Sequence, residues 1–138
     1  MYKENRKKQR EEAVKILYLM HVNNSFTEEE INNYVDFYEL KKEDLSYLYE
    51  LLLEYIDNME YIEDLINKES KNYKFNRIPI IDKCIIRASL TEIKFLNIPT
   101  SVSINEAVEI SKEYSDSDSY KIINSLLGKI SRSINDWV

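Results

Sequence analysis

A single glycine, Gly128, and two prolines serve the whole of this 138-residue chain. Sheet-rich folds depend on turn glycines, and nucleotide-binding loops need glycine where backbone approaches phosphate. That scarcity excludes the Rossmann and P-loop arrangements and leaves helices as the element the chain can build in quantity. Abundant Glu, Lys, Leu and Ile point the same way.

Apolar residues recur at helical spacing along most of the chain. Ala13, Ile16, Leu17 and Met20 fall at i, i+3, i+4 and i+7 and predict a helix over Arg6–Val22, ended by Asn23-Asn24-Ser25. Thr27 and Glu30 form a capping box, in which hydroxyl and carboxylate each satisfy an orphan amide. It opens a short helix to Glu39 with Ile31, Tyr34, Val35 and Tyr38 inward. A long stripe from Lys42 to Lys68 starts with Glu43 and Asp44 in its first turn and is expected to break near Asn58–Tyr61. Ser70–Arg77 is polar and reads as a linker. Pro79 suits a first helical position, so a helix is predicted from there to Leu96, with Ile81, Ile85, Ala88 and Phe95 inward. Asn97-Ile98-Pro99 breaks it. Ser103 and Glu106 form a second capping box, which places the next helix start at Ser103. After the polar turn Ser115–Ser119, where Asp116 and Asp118 suit caps, Ile122, Ile123, Leu126, Leu127, Ile130 and Ile134 mark a closing helix. The fold class is all-α: six to seven helices in two packed sub-bundles. Residues 1–138 are read as one domain, because neither half is large enough for a good core alone.

The chemistry is sparse. His21 and Cys84 are the only histidine and the only cysteine, so no zinc set is available and no cofactor is implied. No nucleophile elbow or paired acid–base motif appears, and the chain is read as a non-enzyme. Lone Cys84 fits a reducing cytoplasm, and no apolar run is long enough to span a membrane.

Charge is where the chain is uneven. Net charge is −6, yet the first ten residues carry Lys3, Arg6, Lys7, Lys8 and Arg10 against the one acid Glu4. Lys3, Arg6, Lys7 and Arg10 share one helical face, with His21 further along the same azimuth. Cations at a helix N-terminus oppose its dipole, so stability alone does not select this pattern, whereas a phosphate backbone does. Tyr18 flanks that face and could stack on an unpaired base.

Several stretches together resemble the NusB family of bacterial transcription antitermination factors. Arg6 to Tyr18 is similar to that family's arginine-rich opening helix, and Asp82 to Glu92 to its fourth helix. Ile98 to Glu109, with its Pro and Asn-Glu-Ala, resembles the family's most recognisable stretch, and Asp118 to Ile130 its closing helix. The resemblance implies binding of boxA RNA beside the ribosomal protein NusE, in support of the transcription elongation complex. It places RNA-binding roles on Arg6, Lys7, Lys8, Arg10, Tyr18, Asp118, Ser119 and Lys121, and a NusE-facing role on Asp82. Lys7 and Lys8 stand where the family has arginines, and Ile122 where many members have Phe. Family members occur as monomers and as dimers, so a homodimer is compatible with the resemblance. The alternative is a helical adaptor that binds protein but not RNA.

Overall fold

The computed structural model describes residues 2–40, 44–70 and 78–136, with side chains from residue 5 to residue 134. Seven helices occupy them: α1 (Tyr2–Asn23), α2 (Glu28–Phe37), α3 (Ser46–Asp57), α4 (Met59–Glu69), α5 (Ile80–Phe95), α6 (Thr100–Tyr114) and α7 (Ser119–Asp136). No strand occurs among the described residues. The predicted break in the long stripe falls at Asn58. Its backbone N–H closes α3 on Glu54 O at 3.1 Å, and its carbonyl opens α4 by accepting from Ile62 N–H at 3.0 Å. Residues 41–43, at the predicted start of that stripe, and 71–77, most of the predicted linker, lie outside the described residues.

Helix α5 is the axis of the molecule. It packs against α1, α3, α4, α6 and α7, and every residue from Cys84 to Glu92 is buried. A helix buried all round must be covered on several sides. Here α1 and α3 cover it from one side, with α2 packed on them, while α6 and α7 cover it from the other with α4 joined to α7. The two sub-bundles therefore share α5, and one apolar cluster runs from Ala13 through Ile134.

The glycine shortage is met by asparagine. Asn24 and Asn97 adopt left-handed φ of 51° and 55° after α1 and α5. Ser25 N–H reaches back to Met20 O at 3.0 Å, and Ile98 N–H to Glu92 O at 3.2 Å, closing each helix as a C-terminal glycine would. Gly128 is not needed for a turn at all. It lies inside α7 without a positive φ, and an added Cβ would meet Arg132 at an ordinary 3.5 Å.

Three local expectations are corrected. The Ser103–Glu106 box does not open a helix: α6 begins at Thr100 with Pro99 as N-cap, and Ser103 is fully buried one turn in. A proline already stops the preceding helix and presets φ, so the new helix can start at once. Pro79 is likewise the residue before α5 rather than its first member. Tyr38 and Ile122, assigned to inward stripes, are 54% and 42% exposed. The Thr27 cap is present, with its hydroxyl accepting from Glu30 N–H at 3.3 Å. Cys84 is a core residue, as expected, and burial pushes its thiol up to about 11. No described helix is long and apolar enough to cross a membrane, and the described residues contain no His/Cys/Asp/Glu group able to hold a metal.

Candidate nucleic-acid interface

The basic run on α1 divides between two sides of the helix. Arg6, Gln9 and Arg10, spaced i, i+3 and i+4, turn toward α3. The Arg6 guanidinium lies 4.6 Å from the centroid of the Tyr47 ring, and that of Arg10 lies 5.7 Å from it. Lys7 and Lys8 are exposed on the other side. The side chain of Lys3 lies outside the described residues.

Arg10, expected to be exposed, is 4% exposed. Its Nε donates to Glu92 Oε2 at 2.8 Å and its Nη2 lies 2.7 Å from the same oxygen. Tyr47 Oη also donates to Glu92. The second Glu92 oxygen accepts from Ser103 Oγ at 2.9 Å, and Ser103 and Ser89 hydroxyls are paired at 2.8 Å. Glu106 approaches Arg10 at 3.6 Å. Burial would lower the Arg10 pKa, but the Glu92 charge and hydrogen bond outweigh it and hold the pKa raised. Burial, reinforced by the same carboxylate, pushes the Tyr47 phenol up. This network ties α1 to α3, α5 and α6 through charge-assisted bonds in a dry site. Arg10 therefore has its partners inside the protein.

The outward side of α1 meets the end of α6. Tyr114 Oη donates to Glu11 at 3.5 Å, and Lys15 Nζ lies 5.1 Å from the Tyr114 ring centroid. These contacts bring Glu11 and Lys15, which lie on α1 between Lys7 and Tyr18, to the C-terminal end of α6. At the α6–α7 corner Asp118 and Lys121 are exposed and pair with each other at 3.5 Å, and Ile122 is exposed beside them. Ser119 is buried as the first residue of α7. The caps expected of Asp116 and Asp118 run through their carbonyls, which accept from Ser119 and Lys121 amides.

An apolar groove of about 590 Å³ continues this surface, lined by Lys15, Tyr18, Leu19, Tyr34, Tyr38, Pro79, Ile80, Ile81 and Tyr114. Four tyrosines from α1, α2 and α6 meet there, and Phe37, 77% exposed, lies just outside. Asp82, expected on a partner-facing surface, is 1% exposed beneath the start of α5. Its Oδ2 accepts from Ser115 Oγ at 2.8 Å, which fastens α5 to the end of α6. Residues Lys15, Tyr34, Tyr38 and Tyr114 were not singled out from the sequence. Tyr34 and Tyr38 stand in the stripe read as inward, of which Tyr34 is buried and Tyr38 exposed, and nothing local in the sequence marks Lys15 or Tyr114.

His21 shares the Arg10 azimuth and, like Arg10, points inward rather than along a cationic face. Its ring stacks edge-on against Phe26 at 4.7 Å between centroids. Its Nε2 lies 3.0 Å from Tyr55 Oη, and that hydroxyl donates to Glu63 at 3.3 Å, so the imidazole supplies the other proton. Arg87 grips Glu63 with two bonds of 2.8 Å. Burial, then the Arg87 charge, lowers the His21 pKa from 6.5 to about 4. In the unfolded chain the imidazole binds a proton at higher pH than in the folded one. The stabilising contribution is thus complete above pH 6.5 and is lost as pH falls toward about 4. Urea midpoints are expected to drop across that window, and His21→Phe to flatten the drop. An equal slope in the variant would show that other groups carry it.

The family model described as "NusB family" matches residues 7–132. A Clostridium acetobutylicum protein named "Transcription antitermination protein NusB" is 37% identical over 130 residues, covering 94% of this chain and 96% of its own length. A Thermoanaerobacter protein of the same name is 40% identical over 130 residues, covering 93% and 91%. Among solved structures, T. maritima NusB superposes with a TM-score of 0.80 at 25% identity, covering 92% of this chain and 90% of that one. The solution structure of NusB from Aquifex aeolicus superposes at 0.83 and 22% identity, over 96% and 90%, and speaks for the fold. With the family's signature running almost from end to end and the same helical fold beneath it, this chain belongs to the NusB family.

Proposed function

We propose that this protein is a cytoplasmic transcription antitermination factor that binds boxA RNA together with NusE and supports the elongation complex. The observation that carries the reading is the meeting of two unlike surfaces along α1. Lys7, Lys8, Tyr18, Asp118 and Lys121 are all exposed, and in this reading they form one RNA-facing side. The tyrosine-lined groove opens beside them. Exposed cations suit a phosphate backbone, whose counterions are released on contact. Tyr18, 39% exposed, offers a face on which an unpaired base can stack. The groove suits a protein partner, since apolar patches rimmed by polar groups mark such sites. NusE would dock there and add its own RNA contacts, raising affinity through effective concentration. Arg10, Ser119 and Asp82 act from beneath this surface, holding the helices that form it. Arg6 touches RNA only from its exposed edge.

Titration of a short single-stranded boxA-like RNA, with and without NusE, tests the reading. Replacing Lys7, Lys8 and Lys121 together by alanine is expected to weaken binding and to flatten the salt slope by about 0.7 per lost phosphate contact. Melting should be unchanged, because exposed cations contribute little to stability. The groove itself favours a second reading, a protein-binding adaptor that leaves RNA alone. An intact fold with unchanged RNA affinity and slope in the triple variant would decide for the adaptor.

A further inference from the structure

Gln9 is a polar side chain that the RNA reading does not use, and it is 5% exposed. Its Oε1 accepts the backbone N–H of Leu48 at 2.9 Å, across 39 residues of sequence. That amide belongs to the first turn of α3, whose N-cap, Leu45, makes no side-chain cap bond. Asp44 Oδ1 caps the Ser46 amide locally at 3.0 Å, whereas the Leu48 amide is capped from another helix. On either side of Gln9, the guanidinium groups of Arg6 and Arg10 lie over the ring of Tyr47, the neighbour of Leu48.

The start of α1 needs such a hold. Arg6 and Arg10 are like charges at i and i+4 near the start of α1, which disfavours the helix there. Chain ends fray unless tied down. From these contacts we infer that Gln9 is a positioning residue. It clamps the first turns of α1 onto the start of α3, so that Lys7 and Lys8 on the opposite side are presented to RNA in one fixed orientation. A pre-ordered helix spares the complex the entropy of ordering it on binding. This role rests on the RNA reading above.

The test uses the full chain and the same single-stranded RNA. Gln9→Met keeps the length of the side chain and removes the acceptor, whereas Gln9→Glu keeps an acceptor beside two guanidinium groups. Gln9→Met is expected to raise Kd about fivefold, the scale of one net hydrogen bond, and to speed amide exchange at residues 5–9 while leaving α7 unchanged. Gln9→Glu is expected to restore both. In a Lys7→Ala/Lys8→Ala background, Gln9→Met should cost no further affinity, because the groups it positions are gone. Equal losses in both backgrounds would overturn the positioning role. Unchanged exchange at residues 5–9 would overturn the clamp whatever RNA does. If the lysine pair itself proves silent toward RNA, the RNA reading falls and the positioning role falls with it, while the exchange result still reports the clamp.

Discussion

Glu92→Ala is expected to destabilise the protein by about 3–5 kcal/mol, the usual cost of removing one member of a buried ion pair. The substitution leaves the Arg10 guanidinium at 4% exposure without its two shortest contacts. Arginine cannot shed its proton to escape, so the charge stays and stays buried. Tyr47 loses its acceptor in the same step, and the orphaned hydroxyl adds to the cost, while Ser103 keeps Ser89 as its partner. The converse change, Arg10→Ala, is expected to cost less, because two hydroxyl donors still hold Glu92. Arg10→Met with Glu92→Met together should recover much of the loss, since apolar groups of similar size need no partners. Urea denaturation of the three variants at neutral pH measures all of this. Equal losses for Glu92→Ala and an exposed carboxylate such as Asp118→Ala would show that the network is not stabilising.

The second large effect belongs to the core. Leu126→Ala is expected to cost about 2–5 kcal/mol, through lost burial and the cavity left behind. Leu126 is fully buried, with Ile123, Leu127 and Ile130 beside it on α7, and α7 packs against α4, α5 and α6 at once. Such a site can collapse only by moving three helices. Asn124→Ala on the exposed side of the same helix should stay within about 0.5 kcal/mol. Since domains of this size are stable by about 5–15 kcal/mol, Leu126→Ala should lower the melting temperature by several degrees. A shift no larger than that of Asn124→Ala would mean that α7 adds little to the shared core.

The two networks also separate by what breaks them. The Arg10–Glu92 pair answers to removal of a charge. The His21–Tyr55–Glu63–Arg87 chain answers to acid, because one of its members titrates inside the accessible pH range.

What the amino-acid sequence determined by itself was whatever depends on neighbours a few residues away. The Ala13–Met20 stripe, the Thr27 cap, the break at Asn58 and the stop at Asn97-Ile98-Pro99 are all set within one or two helical turns, and all are present in the structure. The family could be read for the same reason, since its signature is a series of such local strings. Local pattern misjudged Ser103, because a good capping sequence is outranked by a proline four residues earlier. It also could not foresee the fate of Arg10, Gln9, Asp82 and Ser103. Arg10, Asp82 and Ser103 are polar and were expected outside or at a helix end, Gln9 carried no expectation, and all four are buried. Their partners are remote in sequence, with Glu92 82 residues from Arg10 and Leu48 39 residues from Gln9. A buried polar group is tolerable only when a partner meets it at bonding distance, and only the packing of α1 against α3, α5 and α6 brings those partners there. The same packing decides which α1 cations reach the surface, since Arg10 is buried against Glu92 while Lys7 and Lys8 are exposed.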